Sequence, residues 1–417
     1  MTEIAPGKIR SGGSELAQVA VLALGFGMVG IDRNLIVTLY PIIAKDLSLN
    51  YSDIGTITGA LAMAWGVAAL LMGNKADRVG RRKVLVGSMI VFSLLIGFSG
   101  LAVGLLSLVL IRVVMGLADG AYTPASIAAT MDASPADRQG RNVGLQQMAA
   151  LLFGLGIAPL VIPVLLEVID WRWVFLLLAP PGLILAWVTY RLVPEKEVIH
   201  ETEPALRSSL GDWRESLGYY NIRIAMALML IWLLTLVTVS AFMPNFMIDH
   251  LGLEFAQMGT AMSGFGMGGA VGTMFLPWLS DYVGRKQVMF GCAAMTLATV
   301  LFLMVVGPNV PLLFSALFIV AACTMAAITL TVGPLCGETV SPHLTATATG
   351  LVIAVGEIFG GGLAPIIAGF VAHSLGIAAA LWLPVGALVI GMGLCLAIAK
   401  PVPREVASTA AGRYPVL

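Results

Sequence analysis

Five charged side chains lie within stretches of the sequence that are otherwise almost free of charge. Asp32 and Arg33 are neighbours in the stretch GMVGIDRNLIVTLY, Arg112 precedes Asp119 by two helical turns, and Glu357 lies in the last quarter of the chain. At the centre of a bilayer each such charge costs on the order of 2.5–3.5 kcal/mol, and these residues usually face a bundle interior or an aqueous cavity. An acid and a base that were paired only to stabilise the structure would account for two of these five charged residues. The set therefore indicates a site that handles ions.

These residue types suit the movement of a proton together with an anion. A guanidinium in a low-dielectric cavity stays charged and donates in a fork that matches a carboxylate. A carboxyl group that loses water holds its proton more strongly, and a neighbouring arginine opposes that effect. A carboxyl that alternates between such surroundings takes up a proton on one side and releases it on the other. We expect Arg33 to face the cavity and Asp32 to exchange partners with Arg112.

Helical geometry places these residues at similar depths. Arg112 and Asp119 share a face about 10 Å apart, and Tyr122 extends that face. Asp32 and Arg33 are adjacent, so they point in different directions on a helix. The middle of the first apolar stretch lies near residue 30 and that of the fourth near residue 119. Both stretches therefore carry their charges close to the middle of a membrane.

The composition predicts the elements that hold this set. Of the 417 residues, 59% are apolar and 11% are charged, whereas a soluble domain carries about 25% charged residues. Apolar runs near 20 residues recur, each about long enough to cross a bilayer of ~30 Å, and they are continuous, which excludes a membrane β-barrel. The sequence predicts an all-α membrane protein with twelve transmembrane helices. The predicted spans are 16–44, 54–73, 84–104, 106–131, 143–167, 174–193, 222–247, 256–279, 287–307, 311–335, 344–372 and 376–399.

The basic residues predict the orientation of these spans. Of the 23 Lys and Arg residues, Arg33 and Arg112 lie within spans, Lys45 and Arg172 fall in outer loops, and the other nineteen fall on the inner side if the N-terminus is inside. Both termini are therefore expected in the cytoplasm. The longest polar interruption divides the chain into six spans plus six. The predicted organisation is a tail at 1–15, a bundle at 16–193, a linker at 194–221, a second bundle at 222–399 and a tail at 400–417.

A short motif occurs once in each half. GNKADRVGRRK follows the second span and PWLSDYVGRKQ follows the eighth, in the same membrane orientation, which indicates a parallel repeat. A helical turn would pair the acid of each copy with the arginine four residues later, and the glycine permits a tight change of direction. The matched residues, offset by 204, are Asp77, Gly80, Arg81 and Arg82 with Asp281, Gly284, Arg285 and Lys286.

This motif resembles the signature of the major facilitator superfamily, G-x-x-x-D-R-x-G-R-R, and the resemblance covers residues 16–399. Arg112-x-x-x-Gly116 and the Asp137-Arg138-x-Gly140 segment support it. The resemblance implies two six-helix pseudo-symmetric bundles and a latch that stabilises the outward-facing state, although basic residues that merely hold a loop inside would look similar. The latch residues so implied are Asp77, Arg78, Gly80, Arg81, Arg82, Asp281, Gly284 and Arg285.

The charged pattern is similar to the anion:cation symporter branch of that superfamily. In that branch the first-span arginine contacts the substrate anion, and the first-span and fourth-span acids carry protons, which implies proton coupling by Asp32 and Asp119 with Arg112. The sequence departs from the pattern at Asp119, where glutamate is typical, and at Glu357, where a neutral amide is more usual. Glu357 could repel a second carboxylate, bind a hydroxyl group or form a cation site. The substrate-binding candidates are Arg33, Tyr122, Glu357, and one of Gln146 and Gln147.

The function implied is uptake of an organic anion, a carboxylate such as a sugar acid or a monocarboxylate, by symport with protons rather than sodium. We expect a monomer in the inner (plasma) membrane, with the lipid bilayer as its surroundings, and no cofactor, metal or nucleic acid. The four histidines and four cysteines show no metal-ligand spacing. The sequence shows no combination of a nucleophile with a general base that would indicate an enzyme.

Two other functions stay open. Some lysolipid exporters also carry Asp-Arg in the first span, so a proton-coupled antiporter or exporter of amphiphilic compounds is the main alternative. Against it, the fifth-span segment GLGIAPLVIP lacks the paired glycines after proline that drug/proton antiporters show. A nutrient sensor is the other alternative, but it would normally add a large cytoplasmic signalling segment.

Overall fold

The chain is folded almost entirely into long helices. The computed structural model describes residues 14–72, 80–135, 137–195, 210–341 and 344–399, and these residues contain no strand. A short helix, Leu210–Gly218, lies between the two halves. The twelve long helices of the described residues are α1 (Glu15–Asp46), α2 (Tyr51–Met72), α3 (Arg81–Ser99), α4 (Leu105–Ala133), α5 (Gln139–Leu166), α6 (Trp171–Leu192), α7 (Tyr220–His250), α8 (Phe255–Val283), α9 (Arg285–Leu303), α10 (Val310–Thr339), α11 (Thr345–Leu375) and α12 (Ile377–Ala397).

The predicted all-α membrane fold is confirmed. Within the described residues, eleven of these helices are long and apolar enough to cross a membrane. The remaining one, α8, was predicted at 256–279, and its 29 residues include many glycines, serines and threonines. Such small residues lower the hydropathy of a helix but let its neighbours approach closely. Helix α8 accordingly packs along both α5 and α10.

Four of the long helices contain a π-helical segment, each with a glycine or proline in it or beside it. An extra residue in the turn redirects the side chains that follow, and such turns are frequent at functional sites. Proline contributes because it removes a backbone donor from the helix. The segments are Leu152–Ile157 in α5, Phe246–His250 in α7, Thr331–Leu335 in α10 and Gly356–Leu363 in α11.

Each half of the chain builds its own hydrophobic core, one mainly from α1–α6 and the other mainly from α7–α12. A few residues cross over: Phe242 of α7, Ala368 of α11 and Ala380 of α12 are buried in the first core, and Leu155 of α5 is buried in the second. We call the end that carries the α1–α2 connection the outer end, following the predicted orientation. The crossing residues lie towards that end, so the two bundles pack closely there.

Backbone contacts and one polar contact close the outer end. Gly55 of α2 lies against the carbonyl of Pro365 in α11, and Gly259 of α8 lies against the backbone of Pro159 in α5. Glycine suits these positions because a Cβ atom would collide with the opposite backbone. Tyr51 Oη also donates to Asp249 Oδ2 at 3.0 Å. The bundles thus meet without large side chains between them at these crossings.

The repeated motif has the same local structure in both halves. Gly80 and Gly284 precede α3 and α9 with φ angles of 100° and 105°, a conformation that glycine adopts without a steric penalty. Arg285 Nη1 lies 3.2 Å from Oδ1 of Asp281, four residues earlier. This is the pairing that the repeat predicts for Asp77 and Arg81, but Asp77 lies outside the described residues.

The motif arginines also reach acids that sequence reasoning did not identify. Arg81 donates to Asp132 at the inner end of α4, and Arg285 Nε donates to Glu338 Oε1 at the inner end of α10 at 2.6 Å. The two acids occupy equivalent places in the two bundles. The arginine directly after the glycine of each motif therefore ties two helices of its own bundle together.

The next residue of each motif, Arg82 or Lys286, makes a further contact within its own bundle, near the end of that bundle. Arg82 Nη2 donates to Glu195 Oε2 at 2.6 Å, and Lys83 Nζ lies 3.4 Å from Oε1. Desolvation disfavours ionisation of Glu195, but hydrogen bonds and positive charge from these two residues outweigh it, so the pKa of Glu195 lies below its ordinary value. In the second half, Lys286 Nζ donates to the carbonyl of Leu396 at 2.5 Å.

These contacts bear on the predicted latch. The ion pairs described for Arg81, Arg82 and Arg285 lie within their own bundles. These contacts therefore do not cross the seam between the two halves. Because the bundles meet at the outer end, bonding across the inner end would need a different orientation of the halves. Asp77 and Arg78 lie outside the described residues, and the latch stays a prediction.

Candidate functional site

The intramembrane charges come together near the middle of α1, α4 and α11. Arg112 Nη1 donates to the backbone carbonyl of Asp32 at 2.8 Å and lies 3.3 Å from its Oδ1. Both side chains are 1% exposed. The structure therefore brings Asp32 and Arg112 together as predicted from their depths, while the exchange of partners stays a prediction.

Arg33 has a partner that the sequence did not predict. Its Nη2 donates to Oε2 of Glu357 at 2.9 Å, which joins α1 of the first bundle to α11 of the second. The guanidinium carbon also lies 5.9 Å from the centre of the Trp65 ring on α2. The Arg33 side chain keeps 28% of its surface exposed, against 7% for Glu357. Arg33 is thus the accessible member of the pair, and its charge is balanced by Glu357.

Asp119 lies beside these pairs and within hydrogen-bonding reach of the Asp32 carboxyl group, but it forms no ion pair with the described residues. Its side chain is 0% exposed, and neither carboxyl oxygen accepts a hydrogen bond from the described residues. The charges closest to it are those of Asp32, Arg33 and Arg112. Burial of an unpaired charge is strongly unfavourable. A proton on Asp119 removes that penalty.

The charge of the whole cluster leads to the same conclusion. The three carboxylates of Asp32, Asp119 and Glu357 and the two guanidiniums of Arg33 and Arg112 sum to −1 when every group is ionised. The cluster becomes neutral when it holds one proton. A site of this kind can change its net charge by exchanging a proton with water, and it can do so beside an arginine that is partly exposed.

Close helix crossings hold the cluster in place. Gly30 of α1 lies against the backbone of α5, and Gly154 of α5 lies against the backbone of α1, so these helices touch next to Asp32 and Arg33. Gly116 and Gly120 of α4 lie against the backbone of α2 in the same way. The glycines of the Arg112-x-x-x-Gly116 pattern therefore press α4 onto α2, while Arg112 reaches α1.

Glu357 is positioned by the π-helical segment Gly356–Leu363. Gly360 lies against the carbonyl of Leu230 in α7, and Gly362 lies against the side chain of Met63 in α2. The glycine run thus lets α11 pack closely against α7 of its own bundle and α2 of the other bundle. The π turn then directs the Glu357 side chain towards α1.

The other substrate candidates have different positions. The Tyr122 ring is fully buried between Phe26 and Phe92 in the core of the first bundle, with ring centroids 6.3 and 5.7 Å away. Its placement is that of a core residue, and a contact with substrate stays a prediction. The spacing from Asp119 did place both residues on one broad face, but that face also packs against α3.

The two glutamines of α5 differ in the same way. Gln146 is buried and donates to Ser126 of α4. Gln147 is half-buried. The sequence left open which of the two faces a substrate, and the structure leaves only Gln147 with accessible surface. Trp65 was not predicted as a site residue, but it is a better aromatic candidate for contacting substrate because its ring lies beside the Arg33 guanidinium. Its isolated position in the middle of an apolar span is the sequence feature that could have identified it.

Comparisons with known proteins agree with this architecture. The profile of the Major Facilitator Superfamily matches residues 22–247 and 224–416. The chain belongs to the major facilitator superfamily. A bacterial homologue of the human lysosomal transporter Spinster, solved in an inward-facing, unoccupied conformation, has the same fold, with a TM-score of 0.74 and 18% identity over 93% of this chain and 97% of that one.

Two relatives within the superfamily are named as transporters of acidic sugars. The hexuronate transporter of Bacillus subtilis is 25% identical over 63% of this chain and 63% of its own length. The sialic acid transporter NanX of Escherichia coli is 26% identical over 63% of this chain and 64% of its own length. The alignments thus span slightly less than two thirds of these two relatives. This superfamily member is accordingly a multi-pass membrane transporter.

Proposed function

We propose that this transporter takes up an organic carboxylate, such as a sugar acid or another monocarboxylate, together with protons. The observation that carries the proposal is the charged cluster at the middle of α1, α4 and α11, in which a partly exposed arginine lies beside a buried carboxyl that accepts no hydrogen bond from the described residues. The names of the hexuronate and sialic acid transporters support the same substrate class.

Each member of the cluster has a role in this proposal. Arg33 binds the carboxylate of the substrate because its forked donors match that group. Asp119 takes up and releases a proton, and Asp32 with Arg112 changes partners as the bundles tilt. Gln147 lies on α5 with accessible surface and is a candidate for a polar contact with the substrate. Transport then follows from alternating exposure of the cluster to the two sides.

The number of protons determines whether the membrane potential helps. A potential of 100 mV is worth about 2.3 kcal/mol for each net charge moved. One proton with one monocarboxylate moves no net charge, whereas two protons move one. We propose two protons per monocarboxylate, which makes uptake voltage-driven. We also propose that the protein is a monomer in the inner (plasma) membrane with both termini in the cytoplasm.

Binding to purified protein tests the proposal. Thermal stability should be measured with sugar acids, short monocarboxylates and aromatic acids, followed by uptake into proteoliposomes of the acids that stabilise the protein. Arg33→Ala should abolish the stabilisation. Arg223→Ala, an exposed arginine at the inner end of α7, is the matched control and should behave as the unmodified protein. Lack of binding by every acid tested, or equal binding by Arg33→Ala, would refute the assignment.

A further inference from the structure

One of the guanidinium donors that a substrate carboxylate needs is already engaged by an acid of the protein. Glu357 Oε2 accepts a hydrogen bond from Arg33 Nη2 at 2.9 Å, and Glu357 is itself a carboxylate. It reaches Arg33 from the opposite bundle, whereas Trp65 covers the guanidinium from α2. An incoming carboxylate and Glu357 therefore compete for the same group.

We propose that Glu357 is an internal competitor for the anion site: it must accept a proton and leave Arg33 before a substrate carboxylate binds there. This inference rests on the proposed function and assigns a second proton carrier to it. The proton comes from water and ends on the carboxyl group of Glu357, and the substrate carboxylate takes over the contact with Arg33. Glu357 then takes the place of Asp32 as that carrier, because the arriving substrate can replace Glu357 on the partly exposed Arg33, whereas Arg112, the partner of Asp32, is 1% exposed.

Charge balance makes this exchange a coupling rule. With the site empty, Arg33 is balanced by ionised Glu357. With both proton and substrate bound, Arg33 is balanced by the substrate and Glu357 is neutral. An anion without the proton leaves one excess negative charge, and a proton without the anion leaves Arg33 unpaired. Uncompensated charge away from water is strongly unfavourable, so only the empty and fully loaded states can reorient readily.

The surroundings of the pair contain few other groups that could substitute for Glu357. Asp119 of α4 is the other acid that acts on Arg33, and Asp32 with Arg112 lies behind it. Among the described residues, the neighbours also include Trp65 and Gly66 of α2 and Gly361 of α11, and Met229 and Leu233 of α7 lie against the adjoining Gly356. Glu357 is thus the carboxylate in direct contact with the anion-binding arginine.

The proposal also narrows the substrate. A neutral Glu357 offers a hydroxyl donor and a carbonyl acceptor next to Arg33, which suits a hydroxyl group carried close to the substrate carboxylate. A neutral Glu357 cannot balance the charge of a second carboxylate at that position, and an uncompensated charge away from water is unfavourable. The site therefore favours hydroxylated monocarboxylates over dicarboxylates.

Proton uptake on binding provides the test. D-glucuronate and D-gluconate should be titrated into purified transporter by calorimetry, in buffers of different ionisation enthalpy, at about pH 6 and about pH 8, which gives the protons taken up per anion bound. The unmodified protein should bind more tightly at the lower pH, by up to about tenfold per pH unit for one proton. Glu357→Gln should take up one proton fewer and bind at least tenfold more tightly at the higher pH.

Control variants separate this role from a structural one. Glu167→Gln changes an exposed carboxyl at the outer end of α5 and should match the unmodified protein. Glu357→Asp shortens the competing side chain by one methylene group but keeps a carboxyl group that can take up the proton. This variant should therefore bind the substrate anion more tightly, with the same number of protons taken up per anion. It also keeps the test valid if Glu357→Gln does not fold.

The outcomes distinguish the two proposals. Equal proton counts for the unmodified protein and Glu357→Gln overturn the role of Glu357 and leave anion transport standing. Weaker binding by Glu357→Asp with a reduced proton count also overturns it. If no acid binds either the unmodified protein or Glu357→Gln while both are folded, the proposed function fails, and the inference fails with it.

Discussion

Replacing Asp119 with asparagine should separate substrate exchange from proton-driven accumulation. Asparagine has almost the same shape as a protonated aspartate, and Asp119 is 0% exposed with no hydrogen bond from the described residues. The substitution therefore mimics the protonated state permanently. It also removes one of three carboxylates set against two guanidiniums, so the cluster is neutral without a bound proton. We expect Asp119→Asn to fold, bind substrate and exchange it at the normal rate.

The loss in accumulation follows from the free energy of one proton. A pH difference of one unit contributes about 1.36 kcal/mol per proton, and a potential of 100 mV contributes about 2.3 kcal/mol. Together they give about 3.7 kcal/mol, which corresponds to about a 500-fold change in the ratio of inside to outside substrate at equilibrium. Asp119→Asn should lower the accumulation ratio by a factor of this order under those gradients and remove its dependence on voltage.

Proteoliposomes with imposed pH and potassium-diffusion gradients provide the assay. Counterflow in the absence of gradients measures exchange, and steady-state uptake under gradients measures accumulation. Glu167→Gln, at an exposed position, is the control for replacing a carboxyl by an amide. An Asp119→Asn protein that accumulates substrate as strongly as the unmodified transporter would show that this carboxyl carries no proton. Loss of counterflow in a folded variant would show instead that Asp119 contributes to binding.

Three further predictions test contacts within the fold. Asp32→Asn or Arg112→Met alone leaves a buried charge uncompensated and should lower the stability of the protein by about 3–5 kcal/mol. In a double-mutant cycle followed by thermal denaturation, the double variant should lose less stability than the sum of the two single variants. Additive losses would contradict a direct pair. Gly154→Ala places a Cβ against the backbone of α1 and should destabilise the protein by about 1–3 kcal/mol. The control Gly144→Ala has open space around it and should leave the stability unchanged. Equal melting temperatures of the two variants would contradict the close crossing. Because the pKa of Glu195 is lowered, its contribution should be complete at neutral pH and disappear as the pH falls through that lowered value. Melting temperatures of Glu195→Gln and the unmodified protein should therefore differ at neutral pH and converge in acid; a gap that widens in acid would contradict this.

Local and regularly repeated features of the structure could be predicted from the sequence. Continuous apolar runs identify spanning helices without knowledge of their neighbours. The pairing of Asp281 with Arg285 depends only on their spacing. Asp32 and Arg112 are distant in sequence, but charges within spans are so few that similar depth sufficed to match them.

Contacts that depend on the relative rotation of helices could not be predicted. The pair of Arg33 with Glu357 joins the two bundles, and no local pattern specifies how the bundles face one another. The π-helical segment at Gly356 further changes the direction of Glu357. The direction of the Tyr122 side chain could not be predicted either, because a separation of three residues from Asp119 left it open and packing against Phe26 and Phe92 decided it.

The position of the Arg33–Glu357 contact along its helices has a mechanical consequence. Both residues lie near the middle of their 32- and 31-residue helices, whereas Tyr51 and Asp249 meet at the periphery. When two rigid bodies rock about a central fulcrum, points near the fulcrum move least and points at the rim move most. The backbones at Arg33 and Glu357 can therefore stay nearly the same distance apart in both orientations, even when the two side chains separate, while the rim contact must open. Spin labels on α1 and α11 at the central level should report an almost constant distance during turnover, and a separation as large as that at the outer end would contradict a central fulcrum.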